Sequence, residues 1–97
     1  MSLHHLTVTL GAGNTAISTP AAGNPSIRCM ELQIENETGN ADVKVGDTNL
    51  TSTNYGRIVT AGPANAVTFR VSIHSIDLSS VFLLGTISQK VHVMYTQ

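Results

Sequence analysis

The sequence predicts an all-β protein: a single antiparallel β-sandwich or jelly-roll-like barrel of about seven to nine short strands. Three observations predict it. Apolar residues alternate with Thr, Ser and charged residues at a period of two in several separate stretches. Gly, Asn, Asp and Pro cut the chain at roughly eight- to twelve-residue spacing. No stretch carries a capped apolar pattern of helical period. The densest part of this pattern runs over residues 34–69, where Gly, Asn and Asp separate short apolar alternations.

The elements follow in order. Leu6-Thr-Val-Thr-Leu10 alternates strictly, placing Leu6, Val8 and Leu10 on one face. Gly11-Ala-Gly-Asn14 is a turn, residues 15–19 can form a short strand, and Pro20-Ala-Ala-Gly-Asn-Pro25 is a loop whose prolines lack amide donors. Residues 27–35 read as one strand with Met30, Leu32 and Ile34 inward, and Asn36-Glu-Thr-Gly-Asn40 as a hairpin turn. Residues 42–46 return with Val43 and Val45 inward. Residues 50–53 read as a short edge strand, and residues 57–60 as another strand. Residues 66–74 give the clearest amphipathic strand, with Val67, Phe69, Val71 and Ile73 on one face. Val81-Phe-Leu-Leu84 reads as a strand buried on both sides. Residues 90–96 close the chain with Val91, Val93 and Tyr95 aligned.

Ninety-seven residues make one domain, residues 1–97, with 1–10 as a possible N-terminal arm strand. Apolar residues are 41% but charged residues only 11%, against the usual ~25%. The polarity comes from Ser, Thr and Asn, and such a neutral surface suits faces covered by other subunits or an adapted monomer. Net charge is −1, and the five basic residues are scattered. Nucleic-acid binding needs clustered Lys and Arg, so none is expected. Nothing before Arg28 is charged except His4, His5 and the terminal amine. Residues 1–10 lack the basic and apolar regions of a secretory signal, and no apolar run reaches the ~20 residues that span a membrane. Synthesis in a cytoplasm without membrane insertion is the expectation. Cys29 is alone and reads as a small core residue.

Each candidate for chemistry has a plainer structural reading. His74 and His92 point outward by parity and could meet across a sheet or a symmetry axis, but no Cys/His/Asp spacing supplies a metal site. Asp42 and Asp47 form a loose calcium-like cluster without the EF-hand spacing. Gly11-Ala-Gly-Asn14 lacks the third Gly, the Lys and the helix of a phosphate loop. Asn36-Glu-Thr38 and Asn49-Leu-Thr51 match the glycosylation triplet and read as loop chemistry. Ser, His and Asp occur in no nucleophile context, and so small a chain is not expected to enclose a pocket of a few hundred cubic ångströms. With Tyr55 and Tyr95 as the only Tyr and no Trp, a sugar-binding face is disfavoured. The expectation is a non-enzymatic protein with no cofactor and no metal.

Residues 32–95 carry a succession of turn and strand motifs without internal repeat: Asn36, Gly39-Asn40, Val43-Lys-Val-Gly-Asp47, a Thr/Ser/Asn stretch over 51–56, Ile58-Val59, Gly62-Pro63, Val67-Thr-Phe69, Asp77-Leu78, the apolar run over 81–84 and Val91-His-Val93. In this the chain resembles the small β-sandwich proteins of tailed-bacteriophage virions, of the head-decoration or cement type. The resemblance implies a non-enzymatic virion component, a decoration subunit on the phage head or a related tail or head accessory subunit, often jelly-roll-like and often trimeric, whose partners are the major capsid protein or other virion subunits and its own copies. Residues 1–24 lie outside it. Their neutral strand, with Leu3, Leu6, Val8 and Leu10, is the expected intersubunit or capsid contact, and removing residues 1–10 is expected to leave a folded domain that no longer assembles or no longer binds particles. The alternatives are a tail or fibre module that binds host glycans, for which Tyr55 would be exposed, and a small hydrolase or cupin-like metal enzyme.

Overall fold

Alternation of apolar and polar residues is converted into two layers in the computed structural model, which describes residues 2–19 and 26–97. The loop expected over 20–25 lies outside the described residues. β1 (Leu3–Thr9), β10 (Lys90–Thr96), β4 (Glu31–Asn36) and β7 (Val67–Arg70) form one sheet in the order β1-β10-β4-β7. β2 (Thr15–Ala16), β9 (Phe82–Leu84), β5 (Val43–Gly46) and β6 (Arg57–Val59) form the other in the order β2-β9-β5-β6. The short strands β3 (Arg28–Cys29) and β8 (Ile76–Asp77) pair separately, and every strand pair is antiparallel. With β3 and β8 set aside, the first, eighth, third and sixth strands share one sheet, and the second, seventh, fourth and fifth share the other. This is the strand order of a double Greek-key jelly roll.

Register explains the core. Tyr95, Leu32 and Phe69 lie side by side across the first sheet, as do Leu6, Val93, Ile34 and Val67, and then Val8, Val91 and Asn36. Val43, Val45, Val59 and Leu83 face them from the second sheet as part of one buried apolar cluster. Leu10, Ile17, Cys29 and Leu78 complete that cluster. Each fully buried Leu, Ile or Val contributes about 1.5–3 kcal/mol. Leu78 sits in a short 3-10 turn, Leu78–Ser80, capped by Asp77 Oδ1, which accepts from the Ser79 amide at 2.9 Å and the Ser79 hydroxyl at 2.7 Å.

Several elements differ from the sequence expectation. Residues 27–35 are two strands, not one. The break at Met30 lets both Cys29 and Leu32 be buried despite opposite parity, while Met30 is only half-buried. Met30 donates its amide to Thr96 O and accepts from the Val71 amide, each at 2.9 Å. Residues 36–40 do not close a hairpin. Both flanks of β4 are occupied, by β10 and β7, so the next strand joins the facing sheet. Gly39, at φ +92°, supplies the left-handed residue of that crossing. Residues 50–53 form no strand. Leu50 is buried, and Thr51 Oγ1 accepts the Thr53 and Asn54 amides, giving the backbone local partners in place of a ladder.

The strand expected over 66–74 ends at Arg70, and Ile73 is 83% exposed. Its ladder with β4 runs from Ile34–Val67 to Glu31–Arg70, and beyond it only the Val71 amide still bonds, to Met30 O where the chain breaks from β4. In β9 only Leu83 is fully buried, and Phe82 and Leu84 are half-covered on the outer side. The two extra strands, β3 and β8, are two residues each, too short to leave a periodic signal.

Candidate functional site

The expected arm is not free. β1 pairs with β10 along its whole length, from Leu3–Thr96 to Thr9–Lys90. Val8 and Leu10 are buried in the chain's own core, Leu6 packs on it, and only Leu3 stands out, 67% exposed. Val8 and Leu10 are therefore unavailable to a partner, and residues 2–10 are an integral edge of the sandwich. The reading of Leu6, Val8 and Leu10 as one face holds, but that face points inward.

What β1 offers outward is backbone. Ser2 and Gln97 exchange two N–H···O bonds, at 3.0 and 2.9 Å, and the Leu10 amide donates to Gln89 O at 2.9 Å. Bonded pairs alternate along an antiparallel ladder. The even-numbered residues therefore bond to β10, and Leu3, His5, Thr7 and Thr9 turn their N–H and C=O groups to the open edge. Among the described residues no strand pairs there.

The outer face next to that edge is polar. His5, Thr7, Gln33, Glu35, His92 and Met94 surround a shallow hollow of about 270 Å³. Thr7 Oγ1 lies 3.4 Å from His92 Nδ1, and His92 Nε2 lies 4.0 Å from Glu37 Oε1. The outward direction of His92 follows its parity. His74 lies apart on the exposed segment after β7, and His4 stacks on Tyr95 with ring centroids 5.2 Å apart. Among the described residues no three His, Cys, Asp or Glu side chains are grouped to hold a metal ion. Asp42 and Asp47 sit at opposite ends of β5, roughly 16 Å apart along the chain, and Asp47 Oδ1 is engaged by the Asn49 amide at 2.9 Å. In the turn after Leu10 the Gly11 amide donates to Thr15 Oγ1 at 2.9 Å. Burial pushes the Cys29 thiol pKa up, so Cys29 is no activated nucleophile.

Two further concavities were not legible in the sequence. A cleft of about 670 Å³ opens between the sheets, walled by Leu32, Val45, Phe69, Val71, Ile76 and Val81, with Arg57 and Arg70 among its lining residues. The flanking strands, β6 and β7, have three and four residues, too few to close that side. This is an open cleft and not an enclosed cavity. The cleft has no His, Cys, Asp or Glu in its lining, and Arg70 is already paired with Glu31 at 2.7 Å. It offers an apolar surface without an acid–base pair. The second, of about 280 Å³, is lined by Asp47, Asn49, Leu50, Asn54 and Tyr55 with Gly46 and Gly56. Tyr55 is 43% exposed, and the Lys44 ammonium lies 4.8 Å from its ring centroid.

No helix among the described residues is long and apolar enough to cross a membrane. No family model matches this sequence, and neither a curated protein nor a solved structure matches it.

Proposed function

We propose that this chain is a non-enzymatic structural subunit of a tailed-phage virion, a decoration or cement protein that binds the outer surface of the head and stabilises it. The observation that carries the reading is the jelly-roll strand order, combined with the turn-and-strand pattern of residues 32–95. Jelly rolls serve viral capsids, lectins and cupins alike, and fold alone does not choose among them. The second support is surface chemistry. A chain with 11% charged residues, hydroxyl-rich outer positions and an unblunted edge suits repeated weak contacts in an ordered lattice, where multivalency multiplies affinity. Its partners in this reading are the major capsid protein and its own copies. The test is addition of purified protein to phage heads that lack it. Saturable co-sedimentation with a rise in the heat resistance of the heads supports the reading, and no binding at ~100 µM, where a contact worth about 5.5 kcal/mol would register, rejects it.

One observation favours a second reading, a glycan-binding module. Tyr55 is exposed beside Asp47, Asn49 and Asn54, an aromatic plane next to hydrogen-bonding groups. A glycan array separates the two. Binding abolished by Tyr55→Ala supports recognition of sugars, and an empty array leaves the structural reading.

A further inference from the structure

We propose that the open edge of β1 is a self-pairing edge: two copies join β1 to β1, antiparallel, about a two-fold axis at Leu6. The proposal names one partner for the assembly reading above and rests on that reading for its role, though not for its geometry.

A sandwich of two open sheets has four edge strands, and here three are blunted. β2 has two residues, β6 has three and includes Arg57, and β7 has four and ends at Arg70. β1 has seven residues, no Lys, Arg, Asp, Glu or Pro, and an unbroken register against β10. Proteins ordinarily protect such an edge with brevity, charge, proline or a bulge. β1 has none of these, and its outward groups at Leu3, His5, Thr7 and Thr9 lack partners among the described residues.

The sequence of the edge fits a second copy. With the axis at Leu6, Leu3 faces Thr9 of the second copy and His5 faces its Thr7, so all the outward N–H and C=O groups meet in bonded pairs. No two like-charged residues oppose each other in this register, because β1 holds no Lys, Arg, Asp or Glu and its histidines face Thr and Val. The two Leu6 side chains meet at the axis in a non-bonded pair, where side chains approach most closely. Leu6 is only partly buried in one copy and has surface left to cover. The inner row Leu6–Val93–Ile34–Val67 then runs through both sandwiches as one eight-stranded sheet, and the edge disappears. An edge contact buries less than the ~1,200 Å² of a stable interface, so the pair is weak in solution and gains from a lattice that aligns copies. It also differs from the trimer that the resemblance implies, so mass distinguishes them.

The test uses the full chain at ~20 µM and ~1 mM, with sedimentation equilibrium and residue-resolved amide exchange. The expected result is a rise toward twice the monomer mass, with the amides of Leu3, His5, Thr7 and Thr9 exchanging at least ~10-fold more slowly at the higher concentration. The amides of His4, Leu6 and Val8 are protected at both. Thr7→Pro removes an outward donor and spares the β1–β10 ladder, and it weakens the pair at least ~10-fold. If that variant misfolds, the exchange pattern of the unmodified chain decides. A monomer at ~1 mM, or any oligomer whose odd-numbered amides stay unprotected, overturns the proposal. A monomer that still binds heads refutes this pairing and leaves the assembly reading standing; a β1-paired dimer that binds no head does the reverse.

Discussion

Asn36 is the buried polar tie of the sandwich, and Asn36→Ala tests how the crossing between the sheets is held. Its side chain is fully buried. Its amide nitrogen donates to Ala41 O at 2.8 Å and Val59 O at 3.1 Å, and its oxygen accepts from Asn40 Nδ2 at 3.0 Å. Ala41 lies on the crossing segment and Val59 on β6, so one side chain joins the end of β4 to the facing sheet. Truncation removes these bonds and strands two carbonyl groups. A net loss of ~0.5–1.5 kcal/mol per bond, plus desolvation of an acceptor left without a partner, gives about 2–4 kcal/mol. Asn40 keeps its bond to Lys90 O at 2.9 Å, which limits the damage on that side. A loss of that size is a large share of the 5–15 kcal/mol that holds a domain of this size together. It lowers Tm by roughly 10–25 °C. Urea unfolding followed by far-ultraviolet circular dichroism measures it as a shift in midpoint at constant slope. Asn36→Asp keeps the shape but turns a carboxylate oxygen toward both carbonyls, and is expected to cost more than Asn36→Ala at pH 7. A loss below ~1 kcal/mol for Asn36→Ala refutes the tie.

Other outcomes follow from the same packing. Removing residues 1–10 deletes β1 with buried Val8 and Leu10, a loss of about 5 kcal/mol or more, so the truncated chain gives collapsed amide dispersion in NMR spectra; a well-dispersed, cooperatively folding fragment would show that β1 is dispensable. Gly85→Ala places a Cβ 2.7 Å from Leu10 Cδ1 and 3.2 Å from Val43 Cγ2, and the forced shift of two core side chains lowers stability by about 1–3 kcal/mol in the same urea assay. The Ser79 hydroxyl and amide, with Arg28 at 3.6 Å, hold the Asp77 carboxyl below its usual range. A depressed folded pKa means that the stabilisation is complete above the unfolded value of about 3.9 and is lost as pH falls through the folded one. Thermal melts of the unmodified chain between about pH 5 and pH 2 should therefore show an acid-side loss that Asp77→Asn lacks, and parallel curves for the two would remove Asp77 from the account.

The parts legible in the sequence are those where one strand stays within one sheet. β10 was readable to the residue, with Val91, Val93 and Tyr95 inward, because seven residues alternate without interruption. Val43 and Val45 on β5 were readable for the same reason. The failures lie where tertiary pairing overrides a local pattern. The Gly39-Asn40 turn can serve a hairpin or a crossing, and the choice is made by β7 and β10 occupying both flanks of β4. The apolar parity of β7 runs on through Ile73, but its ladder ends at Glu31–Arg70 and only the Val71 amide bonds beyond it, to Met30 O. Parity placed Leu6, Val8 and Leu10 together, yet could not say which side of β1 was the core. The candidate contact surface was the least legible part. It consists of backbone groups at Leu3, His5, Thr7 and Thr9, and a free N–H has no residue signature beyond a long, uncharged edge.

The central claim, a structural subunit on a phage head, meets its most direct test in cryo-electron microscopy of the particles that carry this chain, at a resolution that traces side chains. The account predicts the β1-β10-β4-β7 and β2-β9-β5-β6 sandwich as repeated density on the outer head surface, seated at junctions between capsid subunits. Particles whose heads lack that density, or that hold the chain only in the tail, would contradict it.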